Sequence, residues 1–326
     1  MAYQVYEVQH DVRVGAGMTF ATENISSKDK ILMVMGFAAC GAAWLPTVKE
    51  LFLRGDKVAD LEVAVFDNRG IGQSSCPSSK THYTTDIMAA DALALMDHLG
   101  WCKAHVVGHS MGAMIAARLS LLAPERVASL TLISTTGGGM EAIPLNVRAL
   151  LAGLKGAFSR GRTFDPVKRA KVDLTFHFSP KLLKTQDPTT GRSVRDLLVD
   201  DYVAVSKETG PQSREGEEGH LNAVMTHKLT ASERQRLAES GIPIKIIHGS
   251  EDILAELRHA RRLARDLRAP LVMVDGAHFI PRDCACQIVD ELLSTVEVVR
   301  QGGTHADVVY PAFNEAALFS RCFCCA

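Results

Sequence analysis

The chain has 326 residues, of which 47% are hydrophobic and 22% are charged, and its formal net charge is −1. This composition is typical of a globular protein with a large core, and the balanced charge argues against nucleic acid or an anionic membrane surface as a partner. No signal peptide is apparent and no apolar run is long enough to span a membrane, so we expect a cytoplasmic protein whose eight cysteines are mostly reduced.

Short apolar runs alternate with helical patterns along the first part of the chain. An early strand or hairpin is predicted over residues 12–22. Further strands are predicted over 30–35, 61–66, 104–107 and 127–133, and helices over 84–99 and 111–122. Because buried strands separated by helices are typical of a parallel sheet, the pattern predicts an α/β fold with helices on both faces of a mostly parallel sheet.

The alternation is interrupted between residues 137 and 238, a stretch that we call the inserted segment. It begins with Gly137-Gly138-Gly139 and carries helical patterns over 145–158 and 193–206. Residues 211–219 (PQSREGEEG) are predicted to form a polar loop, because nearly all of them are polar, charged or glycine. We interpret the inserted segment as a set of helices that lies over the sheet.

The alternation of strands and helices resumes after the inserted segment. Strands are predicted over 242–247 and 270–274, and helices over 254–267 and 286–299. The predicted organisation is therefore a core made of residues 1–136 and 239–300, interrupted by the helical insertion over 137–238. Residues 301–326 lack periodicity and are predicted to form a flexible C-terminal tail.

The most informative motif is Gly108-His109-Ser110-Met111-Gly112, a G-x-S-x-G sequence between a predicted strand and a predicted helix. A turn this tight forces its central residue into a strained conformation, and glycines at its edges avoid collisions with the neighbouring elements. The Ser110 hydroxyl then lies at the N-terminus of a helix, where unpaired N–H groups favour developing negative charge. This arrangement predicts Ser110 as a nucleophile.

A serine nucleophile needs a histidine base within hydrogen-bond reach and an acid that fixes the tautomer of that histidine. Asp252 follows the next-to-last predicted strand, and His278 lies beyond the end of the last one. Because open parallel sheets carry their sites at the C-terminal ends of strands, we predict Asp252 as the acid and His278 as the base. Glu251 is a weaker rival for the acid, and Asp275 is interpreted as a turn residue.

Acyl chemistry also requires hydrogen-bond donors for the oxyanion that develops during attack. One predicted donor is the backbone N–H of Met111, directly after the nucleophile. The second is expected from the loop over residues 35–39, which follows an early strand. Phe37 N–H is the best candidate and Ala38 N–H the second, because Gly36 lets the backbone turn toward the site.

Five motifs occur along the chain in the order in which a known family has them. They are Met35-Gly36-Phe37 with Trp44, residues 66–74 (FDNRGIGQS), residues 108–112, residues 248–252 (HGSED) and Gly276-Ala277-His278. This set resembles the α/β-hydrolase family over nearly the whole chain to about residue 300. The resemblance implies a mostly parallel α/β-hydrolase sheet, the inserted segment as the family's cap domain, and the same catalytic and oxyanion residues. Many members have His where this chain has Met35, a change that keeps the backbone donor.

These residues favour a serine hydrolase, esterase- or lipase-like, that cleaves a carboxylic ester or related acyl bond of a small, apolar substrate through an acyl-enzyme. Such chemistry needs no metal and no cofactor. A peptidase similar to proline iminopeptidases is an alternative, in which Glu215, Glu217 and Glu218 would hold a substrate amine. A hydrolase-fold hormone receptor, which keeps the triad and signals through rearrangement of its cap, is another. The oligomeric state is not predicted.

Cysteines are concentrated at the end of the chain, where Cys322, Cys324 and Cys325 fall within the last five residues. Exposed cysteines in a tail are candidates for lipid attachment, and two lipid chains anchor a protein firmly. The C-a-a-X prenylation pattern fails because Phe323 is the fourth residue from the end. We therefore favour an unmodified tail over membrane attachment through these cysteines.

Overall fold

Seven strands form one sheet in the computed structural model, which describes residues 5–7, 29–58, 60–151 and 165–308. The strands are β1 Val5–Glu7, β2 Asp29–Val34, β3 Leu61–Phe66, β4 Ala104–His109, β5 Val127–Ile133, β6 Ile244–Gly249 and β7 Leu271–Val274. Their order is β1-β3-β2-β4-β5-β6-β7, with β1 antiparallel to β3 and the remaining pairs parallel. This topology confirms the predicted mostly parallel α/β sheet.

Helices cover the sheet and occupy the long connection between β5 and β6. Those that the structure describes include α1 Leu45–Phe52, α2 Thr85–His98, α3 Met111–Leu122, α4 Pro166–His177, α5 Pro180–Lys184, α6 Val194–Thr209, α7 Arg214–Thr226, α8 Ala231–Ala238, α9 Leu257–Asp266, α10 Ile280–Asp283 and α11 Ala285–Arg300. Residues 147–151 are also helical. Crossover helices of this kind are what parallel strands require, since a tight turn cannot join two parallel strands.

The core has two apolar layers, one on each face of the sheet. Successive residues of β4 point to opposite faces, so Val106 belongs to one buried cluster and Val107 to the other. Met88 of α2, Ile115 of α3 and Leu263 of α9 pack in the first cluster, and α1 and α11 cover the second. Strands buried on both faces explain why the sequence shows uninterrupted apolar runs rather than alternation.

The bounds of the core strands and helices determine where the candidate site lies. Strand β3, helix α3 and strand β5 begin and end where the sequence predicts them. Strand β4 continues to His109, two residues further than predicted, so that Ser110 follows the strand directly and Met111 begins α3. The strand-to-helix turn is therefore reduced to a single residue.

The inserted segment supplies helices α4 to α8 between β5 and β6. Helix α6 lies where the sequence predicts a helix over 193–206. Leu174 of α4, Leu183 of α5 and Leu198 of α6 join the buried cluster on the α1 and α11 side of the sheet. These helices therefore share a core with the sheet.

The predicted polar loop over 211–219 is wrong, because residues from Arg214 onward form helix α7. Ser213 caps the helix by accepting a hydrogen bond from the N–H of Gly216 at 3.0 Å. The glycines that suggested a loop lie on the packed face of the helix. A Cβ at Gly216 would collide with the carbonyl of Gly70, and a Cβ at Gly219 with the ring of Tyr83.

Some sequence predictions fall on residues that the structure does not describe. These are the early strand over 12–22, most of the helix over 145–158, and the tail beyond residue 308 with Cys322, Cys324 and Cys325. The described part of the predicted tail, residues 301–308, has one hydrogen bond to the sheet, in which His305 Nδ1 accepts from Ile244 N–H at 3.1 Å. Among the described helices, none combines the length and apolar character that crossing a bilayer requires.

Candidate active site

Ser110 occupies a strained turn between β4 and α3. Its backbone has φ 54° and ψ −121°, in a region that residues with a Cβ rarely adopt. A Cβ at Gly108 would collide with the backbone of Gly112, and a Cβ at Gly112 with the carbonyl of Val34. The Ser110 N–H donates to Ile133 O of β5 at 2.9 Å. The tight packing of β2, β4 and α3 therefore holds the strained conformation in place, as the sequence motif predicts.

The close approach of α3 to β2 gives a stability prediction for Gly112→Ala. The added methyl group would meet the Val34 carbonyl, so we expect the free energy of unfolding to fall by at least about 3 kcal/mol. Gly137→Ala is the matched control, because the nearest atom to a Cβ there lies at 3.4 Å, and we expect a change below about 1 kcal/mol. Urea unfolding measures both, and equal stability of the two variants would contradict the packing.

The three residues predicted as nucleophile, base and acid lie in one hydrogen-bonded row. His278 Nε2 is 2.9 Å from Ser110 Oγ, and His278 Nδ1 is 2.9 Å from Asp252 Oδ2. Because a carboxylate accepts only, Nδ1 carries the proton and donates to Asp252. His278 Nε2 is then left to accept the hydrogen bond from the Ser110 hydroxyl. This is the arrangement in which a serine can lose its proton as it attacks.

Asp252 is an ionised carboxylate despite its burial. Burial alone would raise the pKa of Asp252, but the charge and hydrogen bond of His278, the nearby His248 and the Leu254 N–H hold that pKa below its ordinary value. Its second oxygen, Oδ1, accepts from the N–H groups of Leu254 at 2.8 Å and Ala255 at 3.0 Å. Both carboxylate oxygens are therefore fixed, and with them the orientation of the His278 ring.

Two other carboxylates follow the same strands, that of Glu251, the rival for the acid role, and that of Asp275, interpreted as a turn residue. Glu251 is 3.9 Å from a guanidinium nitrogen of Arg148, and its side chain is partly exposed. The Asp275 side chain is 48% exposed and 3.9 Å from Lys181 Nζ. Neither carboxylate bonds to His278 among the described contacts. The geometry thus favours Asp252 over both.

Two further histidines, which the sequence gave no reason to assign, lie beside the base. His109 donates from Nε2 to the His278 carbonyl at 2.9 Å, and its ring centroid is 5.1 Å from that of His278. His177, at the end of α4, accepts at its carbonyl from Phe279 N–H at 3.0 Å. Burial, and then the neighbouring His278, lower the pKa of His109 and of His177 to about 3. Both rings are therefore neutral and add no charge beside His278.

The loop predicted to carry an oxyanion donor lies against the nucleophile. A Cβ at Gly36 would be 3.0 Å from both His109 O and Ser110 Cβ, so the backbone there approaches Ser110 closely. The Ala38 N–H, which was the second candidate, already donates to His220 Nδ1 at 3.2 Å. Phe37 N–H therefore remains the candidate from this loop.

The Met111 N–H, the other predicted oxyanion donor, belongs to the first turn of α3. The first N–H groups of a helix have no partner within the helix. The helix dipole adds a partial positive charge at the same end. The Met111 N–H can therefore donate to the oxyanion of an acyl group that is bonded to Ser110 Oγ.

The turn after β3 holds the loop that begins at Met35 in place through hydrogen bonds. Asn68 Nδ2 donates to Met35 O at 2.8 Å, and Asp67 Oδ1 accepts from Gly41 N–H at 2.7 Å. Arg69 forms a buried, two-pronged ion pair with Asp91 at 2.5 and 2.6 Å. These contacts agree with the interpretation of Asp67-Asn68-Arg69-Gly70 as a structural turn. Within the described ranges, no three or more His, Cys, Asp or Glu side chains are grouped to hold a metal ion.

Known families and proteins are similar in sequence to this chain. The family model described as the alpha/beta hydrolase fold matches residues 30–282. The chain is 28% identical over 248 residues to the "Putative non-heme bromoperoxidase BpoC" of Mycobacterium tuberculosis, covering 76% of this chain and 85% of that protein. It is 26% identical over 254 residues to the "Putative carbamate hydrolase RutD" of Azorhizobium caulinodans, covering 76% of this chain and 83% of that protein.

Solved structures share the same fold. The crystal structure of the Mycobacterium tuberculosis BpoC protein superposes with a TM-score of 0.65 at 24% identity, covering 91% of this chain and 96% of that chain. The enol-lactonase from Burkholderia xenovorans LB400 gives a TM-score of 0.65 at 20% identity, again covering 91% of this chain and 96% of that chain. At these identities the likeness establishes the fold and leaves the chemistry to the site itself.

Proposed function

The chain belongs to the alpha/beta hydrolase fold family and is a hydrolase enzyme, and from this premise we propose that it is a serine hydrolase of carboxylic esters or related acyl compounds. The observation that carries the proposal is the row of hydrogen bonds from Ser110 through His278 to the buried Asp252, with both distances at 2.9 Å. A serine, a histidine and a buried carboxylate in this order form the constellation that acyl transfer requires.

In the proposed first step, Ser110 Oγ attacks the carbonyl carbon of the substrate while His278 Nε2 takes its proton. The new imidazolium is stabilised by the Asp252 carboxylate. The carbonyl oxygen becomes an oxyanion, which accepts from the N–H groups of Met111 and Phe37. His278 then gives the proton to the leaving alcohol, and the acyl group stays on Ser110.

In the proposed second step, water replaces the alcohol beside His278. The same Nε2 removes a proton from the water as its oxygen attacks the acyl carbon. The oxyanion forms again in the same position, and its collapse breaks the bond to Ser110 Oγ. The proton returns to Ser110, the carboxylic acid leaves, and the enzyme is restored with no metal or cofactor taking part.

The surroundings of the triad support a small, apolar acyl substrate. Phe279 follows the base directly, and its ring centroid lies 5.3 Å from that of His109 and 5.3 Å from that of His177. Both histidines are neutral, as their lowered pKa values require. These three rings carry no charge beside the base, so we propose that an apolar acyl chain is favoured over a charged one there.

The alternative peptidase would need acidic residues free to hold a substrate amine. Glu218 is paired with Arg214 at 2.8 Å on the exposed side of α7, and Glu217 lies 3.6 Å from Arg169. Glu215 is also exposed. The opposite side of the helix, through Gly216 and Gly219, faces the β3 turn, so the structure favours the ester hypothesis.

A panel of p-nitrophenyl esters of increasing acyl length tests the proposal. We expect multiple turnovers and a kcat/KM that rises from acetyl to medium-length acyl chains, since each buried methylene contributes about 0.8 kcal/mol. Proline p-nitroanilide and a p-nitrophenyl carbamate are the controls for a peptidase and for a carbamate hydrolase. Faster cleavage of the anilide than of every ester would contradict the proposal. A single turnover without product accumulation would favour the receptor alternative.

A further inference from the structure

Helix α7 of the inserted segment is seated on the turn that follows β3. Gly216, Gly219 and His220 lie on one face of the helix, because residues three and four apart share a face. The two glycines allow the backbone to approach Gly70 O and the Tyr83 ring closely. The His220 side chain, on the same face, is 0% exposed. The packing of α7 against the core therefore holds the His220 side chain in place.

Both ring nitrogens of His220 are bonded to the backbone of the core. Nε2 is 2.7 Å from Arg69 O, and a carbonyl oxygen accepts only, so the proton is on Nε2. Nδ1 accepts from Ala38 N–H at 3.2 Å. Burial lowers the pKa of His220 to about 4, so the ring is neutral near pH 7 and the Nδ1 lone pair is available. Gln212 Nε2, 3.3 Å from Nδ1, is a second donor to the same lone pair.

The bond to Ala38 acts on the loop that carries Phe37. Ala38 has φ 55°, a left-handed conformation that a residue with a Cβ keeps only when its surroundings hold it. At its other end the loop is held by Asn68, which donates to Met35 O at 2.8 Å. Phe37 lies between these two attachments. Its ring packs edge-on against that of His220, with centroids 6.0 Å apart.

We propose that His220 is a positioning residue for the oxyanion hole. By accepting from Ala38 N–H it fixes the loop so that the adjacent Phe37 N–H faces the acyl oxygen, and the inserted segment thereby takes part in acyl transfer. The inference rests on the proposed function, because it assigns His220 a role in stabilising the oxyanion. A residue that only filled space would affect folding and would not affect the transition state selectively.

Three substitutions separate the two hydrogen bonds of His220. His220→Asn places a carbonyl oxygen on Cγ, where Nδ1 was, and keeps an acceptor for Ala38 N–H. His220→Gln places its amide near the former Nε2 and keeps a donor for Arg69 O. His220→Phe keeps the ring shape and removes both polar atoms. We expect kcat to fall about 10²-fold in the Phe and Gln variants and less than about tenfold in the Asn variant, with KM nearly unchanged.

The inhibition constant of a transition-state analogue would not change if His220 had only a structural role. A trifluoromethyl ketone adds to Ser110 and forms an oxyanion, so its inhibition constant should weaken in proportion to the loss of kcat/KM across the His220 variants. His227→Phe is the matched control. His227 is also a buried histidine of the inserted segment, bonded through Nδ1 to Thr85 Oγ1 at 2.9 Å, and its loss should lower the melting temperature without changing kcat.

The outcomes separate this inference from the proposed function. A wild-type protein that turns over esters, together with a His220→Phe variant that keeps its kcat, would overturn the inference alone. Equal losses in the Asn and Phe variants would overturn it as well, because the bond to Ala38 would then not be the cause. If the Phe variant does not fold, the comparison of Asn with Gln decides. A wild-type protein with no turnover and no trifluoromethyl ketone inhibition would overturn both.

Discussion

Ser110→Ala is expected to lower kcat by a factor on the order of 10⁴ to 10⁶, because the variant has no oxygen to attack the acyl carbon. What remains would come from binding and from the oxyanion donors, which the substitution leaves in place. Alanine, like serine, carries a Cβ, so the strained φ of 54° at this position is unchanged. We therefore expect the variant to fold with nearly the same stability as the wild type.

Two measurements check this result together. Ester turnover reports the loss of chemistry, and a fluorophosphonate probe reports the loss of the nucleophile, since the probe bonds to an activated serine. The thermal unfolding curve of the variant is the control for folding. If the alanine variant kept a rate within about tenfold of the wild type, Ser110 could not be the nucleophile.

The sequence predicts the sheet and the meeting of the three triad residues for a local reason. Parallel strands buried on both faces are continuous apolar runs, so β3 and β5 are recognisable without knowledge of their neighbours. Ser110, Asp252 and His278 each follow such a strand, and parallel strands bring their C-terminal ends to one edge of the sheet. Knowing where three strands end was therefore enough to predict that these side chains meet.

Helix α7 and His220 could not be predicted in the same way. Gly216 and Gly219 suggest a loop when only neighbouring residues are considered, because glycine disfavours a helix interior. Both positions require glycine because a Cβ there would collide with Gly70 or Tyr83, which are distant in sequence and belong to the core. Such contacts override local propensity and leave no periodic signal. The packing face of α7, and the histidine on it, therefore become visible only in three dimensions.

The inserted segment contacts the candidate site on two sides. His177 at the end of α4 accepts from Phe279 N–H, next to the base, and His220 of α7 accepts from Ala38 N–H, next to the candidate oxyanion donor Phe37. Both bonds join backbone groups of core loops to helices of the insertion. A displacement of either helix would therefore be transmitted directly to a loop that flanks Ser110.

Asp252→Asn is expected to cause the second large loss of kcat, and the backbone around the carboxylate explains why. Leu254 N–H and Ala255 N–H both donate to Oδ1, so the asparagine would place its oxygen there and its NH₂ group toward His278. That NH₂ group donates to His278 Nδ1, and the ring proton must then move to Nε2. In this tautomer Nε2 can no longer accept the proton of Ser110.

We therefore expect Asp252→Asn to lower kcat about 10⁴-fold with little change in folding, since the wrong tautomer of the base is stabilised. Asp275→Asn is the matched control. Its side chain is 48% exposed and close to Lys181, and we expect kcat within about threefold of the wild type. Steady-state kinetics on one ester compares both variants with the wild type. If Asp275→Asn were the damaging change, or if Asp252→Asn kept its turnover, the acid would have to be another residue and the hydrogen bond from His278 to Asp252 would have no catalytic role.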